Sequence, residues 1–408
     1  MSFSVKSYLL ADLLTIKYGK NQKKVQDDTN GLYPIYGTGG LMGYSTQFLY
    51  DKPSILIGRK GSISKVKYVD HPFWTVDTLF YTEVNENLVL PKFMFYKMSL
   101  IDFLFYNEGT TIPSLRTETL KQIEFNIPPL NEQKVITNIL STLDEKIELN
   151  NQINKTLEIM AGEIFKQWFV DFEFPNEDGE PYQSSGGEMV ESELGMIPKG
   201  WEVKSIDDLV ELIIDYRGKT PKKLGSDWSE KGIIALSAKS IKNGRLVNLE
   251  KANRVDEELY SIWMKDELKY GDILLTSEAP LGELYFLATN DKYCLSQRLF
   301  AIRADKKQII PEVLYMYLKT PQVMENLLNR ATGTTVTGIR QSELRKVSII
   351  KPDNKIQMKF QDMIINILRK VNVAEKENEK LSLLRNFLLP KLMSGEIRVP
   401  LDLEGEAS

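Results

Sequence analysis

The sequence predicts an α+β protein in which two homologous α/β domains are joined by two long helices, which form an antiparallel coiled coil with pseudo-two-fold symmetry. Three observations predict this fold. The two halves of the chain repeat one another, each half ends in a long segment with a heptad pattern, and a Gly-, Ser- and Glu-rich segment separates the halves. The predicted divisions are a first domain at 1–130, a central helical spacer at 131–172, an acidic linker at 173–198, a second domain at 199–352, a C-terminal helical spacer at 353–398 and a tail at 399–408.

The internal repeat is clearest around a Gly-Thr-Thr motif. Gly109-Thr110-Thr111-Ile112 resembles Gly333-Thr334-Thr335-Val336, which lies 224 residues later. Without a gap, the same offset aligns Leu115 with Ile339, Arg116 with Arg340, Lys121 with Arg345 and Gln133 with Gln357. Nearer the N-terminus of each half the offset is about 220, and Leu79-Phe80 matches Leu299-Phe300. Each half therefore contains short strands and loops, a helix that begins at a proline, a Gly-Thr-Thr loop, a short strand and a long helix.

The long segments carry the heptad pattern of a helix pair. Residues 131–169 contain no proline, and seam positions recur at alternating spacings of four and three: Ile136, Leu140, Leu143, Ile147, Asn150, Asn154, Leu157, Ala161, Ile164 and Trp168. The 224-residue offset gives the second seam: Phe360, Ile364, Ile367, Val371, Ala374, Asn378, Leu381, Arg385, Leu388 and Leu392. An antiparallel pair would place Asn150 opposite Asn378 and Asn154 opposite Ala374, where amides fix register at a cost in stability. The alternative is that each helix packs only on its own domain.

Paired helices of this length suggest a device that spaces two binding domains. A helix of about 39 residues spans roughly 58 Å, so the pair would hold the two domains at a fixed separation. Duplex DNA has a matching pseudo-two-fold symmetry, and half-site spacing then follows from protein geometry. Because the domains differ in sequence, as at Arg59-Lys60-Gly61 and Ser277-Glu278-Ala279, we expect them to read different half-sites of an asymmetric target.

The charge distribution supports a nucleic-acid partner in spite of a net charge of −4. Residues 171–198 hold eight acidic residues and no Lys or Arg, whereas the stretches 52–67 and 217–254 are basic. The predicted DNA-binding residues are Arg59, Lys60, Lys65, Thr110, Thr111, Arg116, Arg217, Lys219, Lys239, Arg245, Thr334, Thr335 and Arg340. Their amines and guanidinium groups would contact phosphates, and hydroxyls would donate to phosphate. The alternatives are that the basic stretches are solvated surface, and that Gly-Thr-Thr is a turn and the nearby Arg116 and Arg340 are structural.

Three short motifs carry a resemblance to a known family. They are Ile127-Pro128-Pro129-Leu130-Asn131-Glu132-Gln133-Lys134, Ser192-Glu193-Leu194-Gly195-Met196-Ile197-Pro198-Lys199-Gly200-Trp201 and Leu388-Leu389-Pro390-Lys391-Leu392-Met393-Ser394-Gly395-Glu396-Ile397. With these motifs, the chain resembles the specificity subunit of type I restriction–modification systems over essentially its whole length. The second copy departs from the first, because Pro129-Leu130-Asn131-Glu132 becomes Asp353-Asn354-Lys355-Ile356.

The resemblance implies two target-recognition domains separated by conserved helical spacers. It also implies assembly on double-stranded DNA with two methylation subunits, which bind S-adenosylmethionine and methylate adenine. Restriction subunits, which translocate and cut DNA, would join that core. We therefore expect S-adenosylmethionine, ATP and Mg in partner subunits and no cofactor or metal in this chain.

The sequence segments that resemble catalytic or cofactor-binding motifs each lack a residue or a spacing that the motif requires. Asn126-Ile127-Pro128-Pro129-Leu130 lacks the aromatic residue and spacing of an adenine-methyltransferase motif, and Gly218-Lys219-Thr220 lacks the earlier glycine of a phosphate-binding loop. With one histidine, His71, and one cysteine, Cys294, a catalytic triad or clustered metal ligation is not expected. We expect a cytoplasmic protein with no membrane span. The rival hypotheses are a self-contained DNA-modifying enzyme and a non-catalytic coiled-coil scaffold.

Overall fold

The computed structural model describes residues 5–333 and 337–400. The chain forms two compact units. The first unit combines the chain up to Glu148 with the chain from Asn378 onward, and the second unit contains Leu149–Glu377. Each unit therefore consists of one α/β part and a portion of both long helices. None of the described helices has an apolar stretch long enough to cross a bilayer.

The first unit is built from short strands and helices followed by the first long helix. Its strands are β1 (Lys6–Leu9), β2 (Leu14–Tyr18), β3 (Tyr33–Gly37), β4 (Gly40–Ser45), β5 (Ser54–Gly58), β6 (Val66–Val69), β7 (Trp74–Thr75), β8 (Leu79–Val84) and β9 (Glu124–Ile127). Its helices are α1 (Leu10–Leu13), α2 (Pro91–Ser99), the 3-10 helix Phe103–Tyr106, α3 (Thr117–Lys121) and the start of α4 (Leu130–Phe169). An antiparallel sheet has the order β2-β8-β5-β6, a smaller sheet has the order β4-β3-β7, and β1 pairs with β9.

The second unit contains a longer set of elements. Its strands are β10 (Met189–Ser192), β11 (Gly195–Pro198), β12 (Glu202–Ser205), β13 (Val210–Ile214), β14 (Ile233–Leu236), β15 (Ile241–Lys242), β16 (Arg245–Leu246), β17 (Arg254–Val255), β18 (Ile273–Ser277), β19 (Leu281–Phe286), β20 (Cys294–Leu295), β21 (Leu299–Ala304) and β22 (Ser348–Lys351). Its helices are α5 (Ile206–Leu209), α6 (Glu257–Trp263), α7 (Pro311–Leu318), α8 (Pro321–Asn329), α9 (Gln341–Leu344) and most of α10 (Asn354–Ser394). Short 3-10 helices occur at Pro221–Leu224, Ala238–Ser240 and Leu249–Lys251.

The two units repeat the same topology. The order β13-β21-β18-β19 corresponds to β2-β8-β5-β6, β17-β14-β20 corresponds to β4-β3-β7, and the pair β12–β22 corresponds to β1–β9. Both smaller sheets even contain one parallel pair, β3 with β7 and β14 with β20. The predicted duplicated α+β architecture is therefore confirmed. The second unit also carries an insertion between β14 and β17, which includes the antiparallel hairpin β15–β16.

The central strands are apolar because both of their faces are covered. Every residue of β5 and of β18 is buried, which is typical of strands packed on two sides. Phe80 and Phe300 occupy equivalent central positions and are fully buried. The core of the first unit also receives Leu392, Met393 and Val399 from the far end of the chain.

The segment predicted as an acidic linker is folded onto the second unit. Its β10–β11 hairpin is antiparallel, and Phe174 stacks between two rings, with centroids 4.6 Å from Tyr182 and 5.0 Å from Trp201. Phe172 has a φ of 57° and packs edge-on against Trp201. The aromatic residues therefore anchor a segment whose remaining composition is typical of a loop.

The long helices α4 and α10 pair in antiparallel fashion within each unit. All predicted seam positions on both helices are buried or half-buried. In the second unit Asn150 donates to a Glu377 carboxylate oxygen at 2.7 Å, and the Asn154 amide lies 3.4 Å from the carbonyl oxygen of Val371. In the first unit Arg385 donates to Asp144 at 2.7 Å. The expected Asn150–Asn378 pairing stays a prediction, and the Glu377 carboxylate is one partner of the Asn150 amide.

Candidate nucleic-acid interface

Three loop segments of the first unit meet at the end of β5. A β-bridge joins Lys60 to Ser114, the Gly61 N–H donates to the carbonyl of Pro113 at 2.9 Å, and the Leu115 N–H donates to the carbonyl of Arg59 at 2.9 Å. The Arg59 N–H in turn donates to the carbonyl of Thr78 at 2.8 Å. We call the surface formed by residues 58–61, 77–78 and 107–116 the first loop face.

The Gly-Thr-Thr loop of this face is held by one side chain. The Asn107 amide oxygen accepts hydrogen bonds from the backbone N–H groups of Gly109 and Ser114, at 2.9 and 2.8 Å. A Cβ on Gly109 would lie 2.0 Å from the carbonyl oxygen of Ile112, so the close turn requires glycine. Thr110 and Thr111 are exposed at its tip. The arrangement presents two hydroxyl groups and backbone groups to solvent on a fixed turn.

The second unit repeats the bridge and the backbone hydrogen bonds at the end of its equivalent strand, β18. A β-bridge joins Glu278 to Gly338, the Ile339 N–H donates to the carbonyl of Ser277 at 2.9 Å, and the Ser277 N–H donates to the carbonyl of Arg298 at 2.9 Å. We call the surface formed by residues 277–279, 298, 332–333 and 337–340 the second loop face. Thr334 and Thr335, which the sequence predicts to bind DNA, lie outside the described residues.

The charged groups of the first loop face are largely accessible. Lys60 is exposed, as is Lys65, which lies four residues beyond this face in the sequence. The Arg59 guanidinium donates to the carbonyl of Asp77 at 3.0 Å and lies 5.1 Å from the ring centroid of Tyr18. Arg116 is 71% exposed and pairs with Glu108 at 3.1 Å. These contacts orient the guanidinium groups without removing them from solvent.

Arg217 contacts the second loop face and is held tightly by its neighbours. Arg217 donates to both Asp215 carboxylate oxygens at 2.8 Å, reaches the carbonyl of Ile339 at 3.3 Å and lies 4.1 Å from the ring centroid of Phe300. Arg340 is exposed immediately before α9.

Arg298 joins this face but was missed by sequence reasoning. It pairs with Glu278 at 3.0 Å and adopts a left-handed φ of 64°. The repeat aligns it with Thr78, and that alignment is the only sequence signal that could have placed it there.

The remaining basic residues predicted to bind DNA differ in how accessible they are. The 3-10 helix that carries Lys239 lies beside the second loop face, since the Ala238 N–H donates to the carbonyl of Gln297 at 3.3 Å. Lys219 donates to the carbonyl of Trp263 at 2.9 Å, and burial lowers the pKa of its ammonium group. Lys239 is exposed on the 3-10 helix Ala238–Ser240. Of Lys219, Lys239 and Arg245, Lys239 therefore has the most accessible charge, because Arg245 contacts acidic residues of the long helices.

Arg245 extends from the β15–β16 hairpin to both long helices of the second unit. It donates to the amide oxygen of Asn151 at 3.0 Å and lies 4.0 Å from Glu158 and 3.7 Å from Glu375. Burial raises the pKa of the Glu375 carboxyl to about 7, and the nearby Arg245 charge opposes that rise only in part. These contacts are those of a residue that fixes the hairpin to the helices.

Polar groups near Arg245 line a small cavity in the second unit. The cavity has a volume of about 40 Å³, and Glu158, Lys319, Asn372 and Glu375 are among its lining residues. The Asn372 amide donates to the hydroxyl of Tyr285 at 3.1 Å. A polar space of this size accommodates ordered water.

The single histidine and cysteine do not form a reactive centre. His71 contacts the hydroxyl of Tyr36 at 3.1 Å. Cys294 is fully buried, and burial raises the pKa of its thiol to about 12. Within residues 5–333 and 337–400, no group of three or more Asp, Glu, His and Cys side chains is arranged to hold a metal ion.

The comparisons with known proteins agree with the duplicated geometry. The model of the type I restriction modification DNA specificity domain matches residues 4–159 and again residues 198–383. The chain belongs to this family. It is a type I specificity subunit, and each of its two matched regions corresponds to one recognition domain.

Named relatives and a solved structure extend along most of the chain. The specificity subunit of the HindI type I enzyme of Haemophilus influenzae is 26% identical, over 77% of this chain and 79% of that protein. The MjaIX specificity subunit of Methanocaldococcus jannaschii is 27% identical, over 86% of this chain and 79% of that protein. The crystal structure of a type I S subunit from M. genitalium has the same fold, with a TM-score of 0.64 and 17% identity over 96% of each chain.

Proposed function

We propose that each unit of this type I specificity subunit reads one half of an asymmetric two-part DNA site through its loop face. The long helices α4 and α10 set the gap between the half-sites and bind two methylation subunits. The chain catalyses no step itself. S-adenosylmethionine, ATP and Mg belong to the methylation and restriction subunits with which it assembles.

The duplicated loop faces carry this proposal. The Lys60–Ser114 and Glu278–Gly338 bridges occupy equivalent places in the two units, yet the side chains there differ in charge. Two domains that recognise different half-sites can share one backbone arrangement but need different side chains. Side chains identify the bases, whereas contacts with phosphates only set the register.

Exposed apolar side chains on the long helices support the docking of partner subunits there. Leu149, Ile153 and Met160 are 50%, 45% and 49% exposed, and their spacing places them on one side of α4. On α10, Leu384 and Phe387 are 46% and 59% exposed at a spacing of three. Apolar residues repeated along the outer side of a helix pair are typical of a surface that packs against further helices.

The deciding experiment is methylation mapping of genomic DNA from cells that express this chain with a type I methylation subunit. We expect methylated adenines in a motif of two unequal halves separated by a fixed gap. The full chain purified alone is the control for catalysis. Methylation or cleavage by that control would favour a self-contained enzyme, and an intact complex without any methylated motif would favour a scaffold.

A binding experiment separates the DNA reader from a scaffold directly. Arg116→Gln and Arg340→Gln each remove one exposed charge from a loop face. Each should weaken binding to all duplexes and reduce the slope of log affinity against log salt by about one. Unchanged affinity and slope in the double variant would count against the loop faces as the DNA-binding surfaces.

A further inference from the structure

Three apolar side chains stand exposed beside the first loop face. Phe105 is 84% exposed, Ile112 60% and Leu104 54%. We call these three residues the apolar tip. An exposed phenylalanine with exposed aliphatic neighbours marks a contact surface more often than an isolated exposed residue does.

The apolar tip is held firmly by its surroundings. Leu104 and Phe105 lie on the 3-10 helix Phe103–Tyr106, whose first residue, Phe103, is buried in the core at 1% exposure, and Ile112 follows the two threonines of the Gly-Thr-Thr loop. The Asp102 carboxylate accepts a hydrogen bond from the Leu104 N–H at 3.0 Å, and the Phe105 ring packs edge-on against Tyr106 with centroids 5.3 Å apart. The next residue, Asn107, is the one that holds the Gly-Thr-Thr loop, so the tip and the loop are positioned together.

The charges around the tip favour a polyanion as its partner. The stretch from Lys52 to Lys67 supplies Arg59, Lys60 and Lys65 and contains no acid between its ends. The nearby acid Glu108 is engaged by Arg116 at 3.1 Å and by the hydroxyl of Thr119. A duplex offers both features that this surface needs, since its phosphates face the basic groups and its bases present apolar edges within the groove.

The second unit differs from the first at the position that corresponds to Phe105. The 224-residue offset aligns Leu104 with Leu328 and Phe105 with Asn329, which is exposed at the end of α8. One unit therefore presents an aromatic ring where the other presents an amide. An amide favours hydrogen bonds with adenine, whereas an aromatic ring favours apolar contact such as that with the thymine methyl group.

We propose that the Phe105 ring contacts bases of the first half-site and helps to determine its sequence. This inference rests on the proposed function, because it assigns a role within the DNA contact of the first unit. It makes Phe105 a specificity-determining residue, distinct in effect from the lysines and arginines that contact phosphate.

The test is a binding selection from a duplex library with randomised half-sites. It uses the full chain co-expressed with a methylation subunit. The variants are Phe105→Ala, Phe105→Asn, which installs the residue of the second unit, and the control Leu32→Ala, which shortens an apolar side chain 79% exposed outside the loop face. Because Phe105 is exposed, we expect all variants to keep the thermal stability of the wild type.

We expect Phe105→Ala to reduce discrimination roughly 5- to 100-fold at one or two positions of one half-site. The other half-site and the salt dependence should stay unchanged, and Phe105→Asn should shift the preferred base at the same positions. Leu32→Ala should match the wild type.

Three results would overturn the inference. If wild type and Phe105→Ala select the same half-sites with equal discrimination, the ring does not contact bases, although the proposed function stands. If Phe105→Ala loses the methylation subunit instead, the tip is a protein-docking surface. A wild-type complex with no sequence preference would remove the proposed function and this inference together.

Discussion

The side-chain oxygen of Gln133 accepts a 2.8 Å hydrogen bond from the backbone N–H of Leu90, which ties the start of α4 to the start of α2. The Gln133 amide also donates to the carbonyls of Leu88 and Pro128, each at 2.9 Å, and the side chain is fully buried. Gln357 repeats this arrangement in the second unit, where it accepts from the Ile310 N–H at 2.9 Å. One side chain in each unit thus connects the α/β part to a long helix.

Replacement of Gln133 by Ala should lower the free energy of unfolding of the first unit by about 2–4 kcal/mol. The change removes three hydrogen bonds at part-buried groups, to the Leu90 N–H and two carbonyls, and each contributes about 0.5–1.5 kcal/mol. Urea denaturation and hydrogen exchange at the Leu90 amide measure the effect. Gln122→Ala, at an exposed position, is the matched control. Unaltered protection of the Leu90 amide together with unaltered stability would contradict this role of Gln133.

Variants of Arg245 and Lys239 should distinguish a structural role from a DNA-binding role for a basic side chain. Arg245→Gln should lower the unfolding free energy of the second unit by about 1–3 kcal/mol, because Glu158 and Glu375 lose their partner charge. Its salt dependence of DNA binding should stay as in the wild type. Lys239→Gln should do the reverse, with stability within about 0.5 kcal/mol and a salt slope smaller by about one. A reduced salt slope for Arg245→Gln at unchanged stability would place Arg245 on the DNA instead.

The stability of the second unit should depend on pH through Glu375. Burial raises the pKa of this carboxyl from 4.5 to about 7 in the folded state, so between these values the folded protein holds a proton that the unfolded chain has released. The stabilisation is therefore complete below pH 4.5 and is lost as pH rises through 7. Glu375→Gln should remove this dependence and stabilise the unit at pH 8 by about 1–3 kcal/mol. Urea denaturation from pH 5 to 8 provides the measurement.

An exposed carboxyl provides the control for that pH series. Glu177 is 93% exposed, so Glu177→Gln should leave the profile unchanged. A profile for Glu375→Gln that coincides with the wild type would show that the Glu375 carboxyl is ionised in the folded protein throughout this range.

The gap between half-sites should follow helix length. One heptad inserted between Glu148 and Leu149, together with one between Glu377 and Asn378, leaves the contacts within both units intact, because the units divide at these points. Seven helical residues add about 10 Å, which corresponds to roughly three base pairs. Methylation mapping should show a longer gap between unchanged half-sites. An unchanged gap would show that helix length does not set the distance between half-sites. Insertion into α4 alone, which leaves the two helices unequal, is the control.

Periodic features of the fold could be predicted from the sequence. The heptad positions from Ile136 to Trp168 and from Phe360 to Leu392 are buried or half-buried because a repeated apolar spacing requires a partner surface. The duplication could also be recognised, because Gly109 and Gly333 mark a turn whose backbone demands glycine in the first unit. Both signals are recurrences of residue type at a fixed spacing, which can be read without knowledge of side-chain contacts.

Non-periodic features could not be predicted. Arg245 was assigned to DNA from its charge alone, while its contacts with Asn151 and Glu375 depend on an inserted hairpin that the repeat does not contain. The acidic segment was interpreted as a linker because its composition hides the anchors Phe172 and Phe174. Side-chain partners far apart in sequence leave no spacing pattern from which to infer them.

The first unit is formed from two segments that are far apart in the sequence, and this affects the order of folding during synthesis. Its core needs Leu392, Met393 and Val399, which the ribosome adds after the whole second unit. The first unit therefore cannot complete its core until the second unit, which is contiguous in sequence, has been synthesised and can fold. A nascent chain halted after residue 377 would carry a finished second unit and an unfinished first one, the reverse of the usual order in which domains mature.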